Sequence, residues 1–80
     1  MYKINPNKEL TSREKEVMSY VVKGMTNPQI ADKLFITTHT VKAHVSSALY
    51  KLNVKNRFDA TLKLLKLNNK LISDENNVLD

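Results

Sequence analysis

The chain contains no cysteine, no tryptophan, one glycine and two prolines among its 80 residues. Without cysteine it can form no disulfide, use no thiol nucleophile and bind no zinc through sulfur. A single glycine cannot build the glycine-rich loop that cradles a nucleotide phosphate. We therefore expect the stability of this short chain to come from side-chain packing or from association with a partner.

Membrane and catalytic features are also missing from the sequence. No apolar run approaches the roughly 18 residues of a membrane-spanning helix, and no signal peptide is recognisable. No Ser/His/Asp set or pair of carboxylates falls on a common face, and His39 and His44 lack further residues at metal-ligand spacing. We expect a cytoplasmic protein that is not an enzyme, with no cofactor, no metal and no membrane contact.

Basic residues are in excess, with 13 Lys and Arg against 8 Asp and Glu and a net charge of +5. Three of the acids, Asp74, Glu75 and Asp80, lie close to the C-terminus, so the rest of the chain is more basic still. Such charge attracts phosphate polymers, but it also suits an anionic membrane surface. Charge alone therefore does not identify the partner.

Apolar periodicity and capping residues predict an all-α fold with four helices, a helix-turn-helix bundle. The predicted helices span approximately residues 12–23, 27–34, 38–52 and 57–71. They form one domain over residues 10–72, between a flexible lead at 1–9 and a flexible tail at 73–80. Capping boxes at Thr11–Glu14 and Thr26–Gln29 begin the first two helices, and Gly24 and Asn53 suit left-handed helix ends.

The third helix follows a short turn at Phe35–Thr38, where Thr37 can act as its N-cap. Its apolar residues share one side at helical spacing. This predicted buried stripe consists of Val41, Val45, Ala48, Leu49 and Leu52. The opposite side has mostly small residues and no acid, and consists of His39, Ala43, Ser46, Ser47 and Tyr50.

An outer face of this kind fits the major groove of DNA. Small residues such as Ala43 and Ser46 let the helix backbone approach the base edges. The flanks carry donors that can reach phosphate oxygens on both groove walls. These flanking residues are Lys42 on one side and Thr40, His44 and Lys51 on the other. The alternative is the ordinary solvated face of an amphipathic helix.

The sequence from Leu10 onward is similar to the GerE/LuxR family of bacterial helix-turn-helix transcription regulators. The resemblance covers approximately residues 10–67 and rests on many residue matches at fixed spacing. A helix-turn-helix pattern without these matches would be weaker evidence for the family, because that geometry recurs in proteins of other functions. The matching residues are Leu10, Thr11, Arg13, Glu14, Gly24, Thr26, Asn27, Ile30, Ala31, Thr40, Val41, Lys42, His44, Lys51 and Leu52.

The resemblance implies sequence-specific binding of double-stranded DNA by a bacterial transcription regulator, or by the output domain of one. It implies that Lys42, Ala43 and Ser46 approach bases. The residues that it implies at the sugar-phosphate backbone are Thr26, Asn27, Thr38, Thr40, His44, Lys51 and Arg57.

The last helix departs from the family pattern at Phe58, where the family usually has a small or polar residue. It carries two apolar stripes on nearly opposite sides, and a small core cannot bury both. We expect Ala60, Leu64 and Leu67 in the core. Because the resemblance implies dimerisation through this helix, we expect a two-fold contact formed by Phe58, Thr61, Leu62 and Leu65.

Two alternatives remain open from the residues. The ends of the chain could fold over the second stripe of the last helix. The domain could also bind protein rather than DNA, with the Phe58 stripe docking a partner from the transcription machinery such as RNA polymerase, or a regulator. DNA binding through phosphates weakens steeply with salt, whereas apolar docking hardly changes.

Overall fold

A computed structural model of the chain describes residues 9–76, and the side chains through residue 66. This part of the chain contains four helices and no strand. In chain order they are α1 (Ser12–Val22), α2 (Asn27–Leu34), α3 (Thr38–Leu52) and α4 (Arg57–Asn76). The predicted all-α fold is therefore confirmed.

The helix bounds agree with the sequence except at the end of the last helix. α4 continues to Asn76 instead of ending at residue 71, so residues 73–76 are helical where the sequence predicted a tail. The rest of the predicted lead and tail, residues 1–8 and 77–80, lies outside the described residues. Within the described range, no helix has the length and apolar character that crossing a membrane requires.

The predicted caps explain where the helices begin. Thr11 Oγ1 accepts the Glu14 N–H at 3.1 Å, while Glu14 Oε1 accepts the Thr11 N–H at 2.9 Å. Thr26 and Gln29 form the same reciprocal pair at 3.3 and 2.8 Å. Side chains thus replace the hydrogen bonds that the first turn of each helix cannot make for itself.

Side chains also cap the starts of α3 and α4, and the cap of α3 is the predicted Thr37. Thr37 Oγ1 accepts the Thr40 N–H at 3.0 Å at the start of α3. Asn56 Oδ1 accepts the Asp59 N–H at 2.8 Å at the start of α4. All four helix starts are therefore determined by short-range hydrogen bonds that local sequence specifies.

Three residues adopt a positive φ at helix ends. Gly24 (φ 89°) and Asn53 (φ 59°) were predicted there, whereas Phe35 (φ 58°) was not. Phe35 follows α2 in a turn of three residues, Phe35–Thr37. Thr38, which the sequence placed both in the predicted turn and at the start of the predicted helix, belongs to α3. The left-handed conformation costs about 1–2 kcal/mol for a residue with a side chain.

One core joins the helices, with α3 packed against α1, α2 and α4. The predicted stripe of α3 faces inward, since Val41, Val45 and Ala48 are buried and Leu49 and Leu52 pack against the core. From α4, Ala60 is fully buried and Leu64 packs beside it, as predicted. The side chain of Leu67 lies outside the described residues. The remaining buried apolar residues are Val17, Met18, Val21, Ile30 and Ala31.

Candidate nucleic-acid interface

The outer face of α3 brings together the three residues predicted to contact bases. Lys42, Ala43 and Ser46 are all exposed, and their spacing of one and three residues puts them on neighbouring turns of one helix face. The buried stripe of the same helix lies on the other side. The short side chains of Ala43 and Ser46 leave the helix backbone accessible to a groove.

Polar side chains lie around the first turns of α3. Thr38 is exposed, and Thr40 and His44 are half-buried. The Thr37 hydroxyl donates to Thr40 Oγ1 at 2.9 Å. Because Thr40 Oγ1 accepts this hydrogen, its own hydroxyl hydrogen can be directed to another acceptor, such as a phosphate oxygen.

Further along the flank of α3 that carries Thr40 and His44, two polar side chains bond inside the domain. Ser47 Oγ donates to Glu14 Oε2 at 2.6 Å, and Lys51 Nζ donates to Glu14 Oε1 at 2.8 Å. Glu14 is only 5% exposed, so this is a nearly buried ion pair between α1 and α3. Sequence reasoning recognised Glu14 only as a capping residue, because its long-range partners are 33 and 37 positions away.

These contacts change the roles of two predicted residues. Ser47 was predicted on the outer face of α3, and that prediction is wrong because its hydroxyl is bonded to Glu14. Lys51 was predicted at the DNA backbone, and its ammonium already has a partner within the domain. A phosphate contact from Lys51 stays a prediction, and it would have to compete with this ion pair.

The surroundings of Glu14 determine its charge state. Burial by itself would raise the pKa of Glu14. Hydrogen bonds from Lys51, Ser47 and the Thr11 N–H, together with the positive charge of Lys51, outweigh burial and lower the pKa from 4.5 to about 2. Glu14 therefore remains a carboxylate at neutral pH, which keeps all three donors satisfied.

The start of α2 contacts the start of α4. Arg57 Nη1 donates to Asn27 Oδ1 at 2.5 Å, and Arg57 Nη2 donates to the carbonyl oxygen of Met25 at 2.6 Å. Asn27 and Arg57 are both half-buried, while Thr26 is exposed next to them. Two residues predicted separately at the DNA backbone are thus in direct contact with each other.

The residues predicted for the dimer contact lie along one side of α4. Phe58, Leu62 and Leu65 follow each other at helical spacing and are 69%, 51% and 39% exposed. Thr61 is half-buried, and its hydroxyl donates to the carbonyl oxygen of Arg57 at 3.0 Å. An apolar stripe of this kind is typical of a surface that contacts another molecule.

A metal site does not emerge from the described part of the chain, where no three His, Cys, Asp or Glu side chains are grouped closely enough to hold an ion. Hydrogen-bond donors and small side chains are what the exposed face of α3 offers. This inventory suits recognition of a polyanion by contact.

Comparison with known proteins gives a consistent set of relatives. The family described as bacterial regulatory proteins, luxR family, matches residues 8–64. The chain is 45% identical over 58 residues to the spore germination protein GerE of Bacillus subtilis, covering 72% of this chain and 78% of that protein. It is 44% identical over 64 residues to a nitrate/nitrite response regulator protein homolog of Haemophilus influenzae, covering 80% of this chain.

A third relative is the nitrate/nitrite response regulator protein NarP of Escherichia coli, 42% identical over 62 residues and matched over 78% of this chain. The chain spans 31% of the Haemophilus protein and 29% of NarP. It therefore corresponds to most of GerE, but to less than a third of either response regulator.

Proposed function

The chain belongs to the luxR family of bacterial regulatory proteins, which are DNA-binding transcription regulators, and we propose that it reads a specific DNA sequence with α3. The observation that carries this proposal is the exposure of Lys42, Ala43 and Ser46 on one face of α3. Lys42 can donate to the acceptor atoms of guanine in the major groove, and Ala43 can contact a thymine methyl group. Ser46 can donate to or accept from either kind of base edge.

Contacts with the sugar-phosphate backbone would hold this helix in register. At the start of α2, Thr26 and Asn27 would contact one DNA strand. Thr38, Thr40 and His44 flank the outer face of α3 and can donate to the other groove wall. Lys51 completes the proposed set, although it also bonds within the domain. Arg57 was predicted in the same set, but its guanidinium already donates to Asn27 and to the Met25 carbonyl oxygen, so we include it as a neighbour of this contact.

We further propose that two copies of the chain associate through α4. A two-fold contact would cover Phe58, Leu62 and Leu65, with Thr61 at its edge, and would remove apolar side chains from water. Such a dimer would present two α3 helices to half-sites about one helical turn of DNA apart.

The dimer is tested by replacing Leu62 or Leu65 with Asp. Each change places a charge in the proposed contact, so analytical ultracentrifugation should show a dimer for the natural chain and a monomer for the variant. Circular dichroism should remain helical, because both side chains lie outside the core. Ser19→Asp adds the same charge on the exposed side of α1 and should leave the dimer intact. A natural chain that stays monomeric at high concentration would contradict the proposal.

For the protein as a whole, we propose that it binds DNA and catalyses no reaction. We propose the cytoplasm as its location, because a bacterial regulator meets DNA there. Contact with RNA polymerase is a further proposal for a DNA-bound regulator. The match covers 78% of GerE, whereas it covers only 31% of the much longer Haemophilus response regulator.

Selection of binding sites from random duplexes tests the main proposal. The selected sequences should share a palindromic consensus, and fluorescence anisotropy should show an affinity that falls steeply with salt concentration. Sequence-blind binding, or binding that hardly depends on salt, would instead favour a protein partner at the exposed stripe of α4.

Lys42→Ala tests the base contact directly. Removal of the ammonium should reduce discrimination between the consensus and a duplex altered at the contacted base pair by about 1–3 kcal/mol. Lys15→Ala removes an exposed lysine from α1 and serves as the control, since it should change both affinities little. Equal discrimination by Lys42→Ala and the natural chain would contradict the assignment.

A further inference from the structure

Arg57 makes two hydrogen bonds to the segment that precedes and begins α2, and these bonds determine how Asn27 is oriented. A guanidinium group has donors only, so the atom of Asn27 that faces Arg57 Nη1 must be Oδ1. The amide nitrogen Nδ2 is on the other side of the same planar group. Nδ2 donates to no described residue, and no buried side-chain nitrogen of the described chain lacks a partner, so Nδ2 is accessible to solvent.

The second bond of Arg57 fixes the backbone beneath this side chain. Arg57 Nη2 donates to the carbonyl oxygen of Met25, two residues before Asn27. The planar fork of the guanidinium holds both acceptors in one rigid geometry, which a lysine ammonium cannot reproduce. Arg57 thus orients the amide of Asn27 and anchors the chain that carries it.

Side-chain donors matter here because the start of α2 has few backbone donors to offer. The capping box uses the N–H groups of Thr26 and Gln29, and Pro28 has no N–H. A phosphate at this end of α2 would find one backbone donor, the N–H of Asn27. Its other donors would be the hydroxyl hydrogen of Thr26 and the Nδ2 hydrogens of Asn27.

We propose that Arg57 is a positioning residue that acts on DNA through Asn27: it turns Asn27 Nδ2 outward to donate to a backbone phosphate, rather than gripping that phosphate itself. The inference rests on the proposed DNA-binding function. Arg57 also lies next to the proposed dimer contact, because it is the first residue of α4 and directly precedes Phe58.

A double-mutant cycle tests the coupling, with anisotropy titrations of Arg57→Ala, Asn27→Ala and the double variant against the selected duplex. Each single change should weaken binding about tenfold, and the double variant should be no weaker than the weaker single variant. The dependence of log affinity on log salt should keep its slope in both single variants, because a neutral amide displaces no counterion. Arg13→Ala removes an exposed arginine from α1 and is the matched charge control.

Asn27→Asp separates orientation from folding. Aspartate still accepts from Arg57, so the melting temperature should not fall, but its other oxygen replaces the outward donor with negative charge. Binding should therefore be weaker than for Asn27→Ala. If Arg57→Ala melts below the assay temperature, Arg57→Lys takes its place in the cycle, because it retains the charge and loses the fork.

Two results would overturn the proposal. Additive losses, with a salt slope reduced by about 0.9 in Arg57→Ala, would mean that Arg57 itself neutralises a phosphate. Natural affinity in Asn27→Asp would mean that Asn27 faces no phosphate. Failure of the proposed DNA-binding function is recognised separately, because the natural chain would then select no duplex before any variant is compared.

Discussion

The two sides of α3 use the same residue types for different purposes. On the outer face, Lys42 and Ser46 are exposed, whereas on the side toward α1, Lys51 and Ser47 are hydrogen-bonded to the carboxylate of Glu14. Ser46 and Ser47 are adjacent in sequence, but successive helical residues point about 100° apart. Whether a polar side chain is available for DNA therefore depends on what the neighbouring helix places opposite it.

Glu14 creates this difference. A nearly buried carboxylate needs compensating charge and hydrogen bonds, and Lys51 and Ser47, four residues apart, stack on one side of α3 to supply them. The outer face has no acid to satisfy, so its lysine and serine remain exposed to solvent. The same two residue types thus have a structural role on one side of α3 and a proposed DNA-binding role on the other.

Among the changes that test the difference between the two sides of α3, Lys51→Ala should have the largest effect on stability. It leaves the carboxylate of Glu14 nearly buried without its cation, which should lower the free energy of unfolding by about 3 kcal/mol. Lys42→Ala is the matched control and should change it by no more than about 0.5 kcal/mol, because Lys42 is exposed. Urea denaturation measures both. Similar losses in the two variants would remove the distinction between the two sides.

Acid should have the second-largest effect, because it protonates Glu14 on the side of α3 that faces α1. The pKa of Glu14 is lowered to about 2 in the folded protein, so its contribution is complete well above the ordinary value of 4.5 and is lost as the pH falls toward 2. Between pH 7 and pH 3 this single group should account for about 2 kcal/mol of lost stability.

The Glu14→Gln variant isolates that contribution from the other carboxylates. Denaturant unfolding at pH 7 and pH 3 should show a smaller loss for Glu14→Gln than for the natural chain, by about the same 2 kcal/mol. An identical loss in both proteins would mean that Glu14 titrates normally.

The adjacent serines give the smallest and most local test. Ser47→Ala removes one hydrogen bond to a carboxylate and should lower the free energy of unfolding by about 1 kcal/mol. Ser46→Ala should leave stability nearly unchanged, since Ser46 is exposed. On DNA the order should reverse, with Ser46→Ala altering sequence preference. Thermal unfolding and anisotropy titration on the same two variants check both halves.

Local sequence predicted most of the fold. The capping pairs, the left-handed conformations of Gly24 and Asn53 and the buried stripe of α3 depend on residues at most a few turns apart. Helical spacing also placed Ala43 and Ser46 on the outer face with Lys42 at its flank, and all three are exposed. These features follow from the periodicity and hydrogen-bond chemistry of single helices.

The features that escaped prediction depend on contacts between helices or on backbone strain. A helical wheel puts Lys51 beside the outer face of α3, but it carries no information about the carboxylate of Glu14 on α1. Arg57 and Asn27 likewise meet only when the folded domain brings the starts of α2 and α4 together. Phe35 was missed because an aromatic residue is a poor signal for a left-handed turn, whereas Gly24 and Asn53 are good ones.

The separation of the two sides of α3 makes this domain suitable for protein engineering. Lys42, Ala43 and Ser46 are exposed and lie opposite the stripe that holds α3 in the core. A library that randomises these three positions while keeping Glu14 and Lys51 would change the surface presented to DNA without removing a core side chain or the buried ion pair. Folded variants with altered sequence preference could then be obtained from one scaffold.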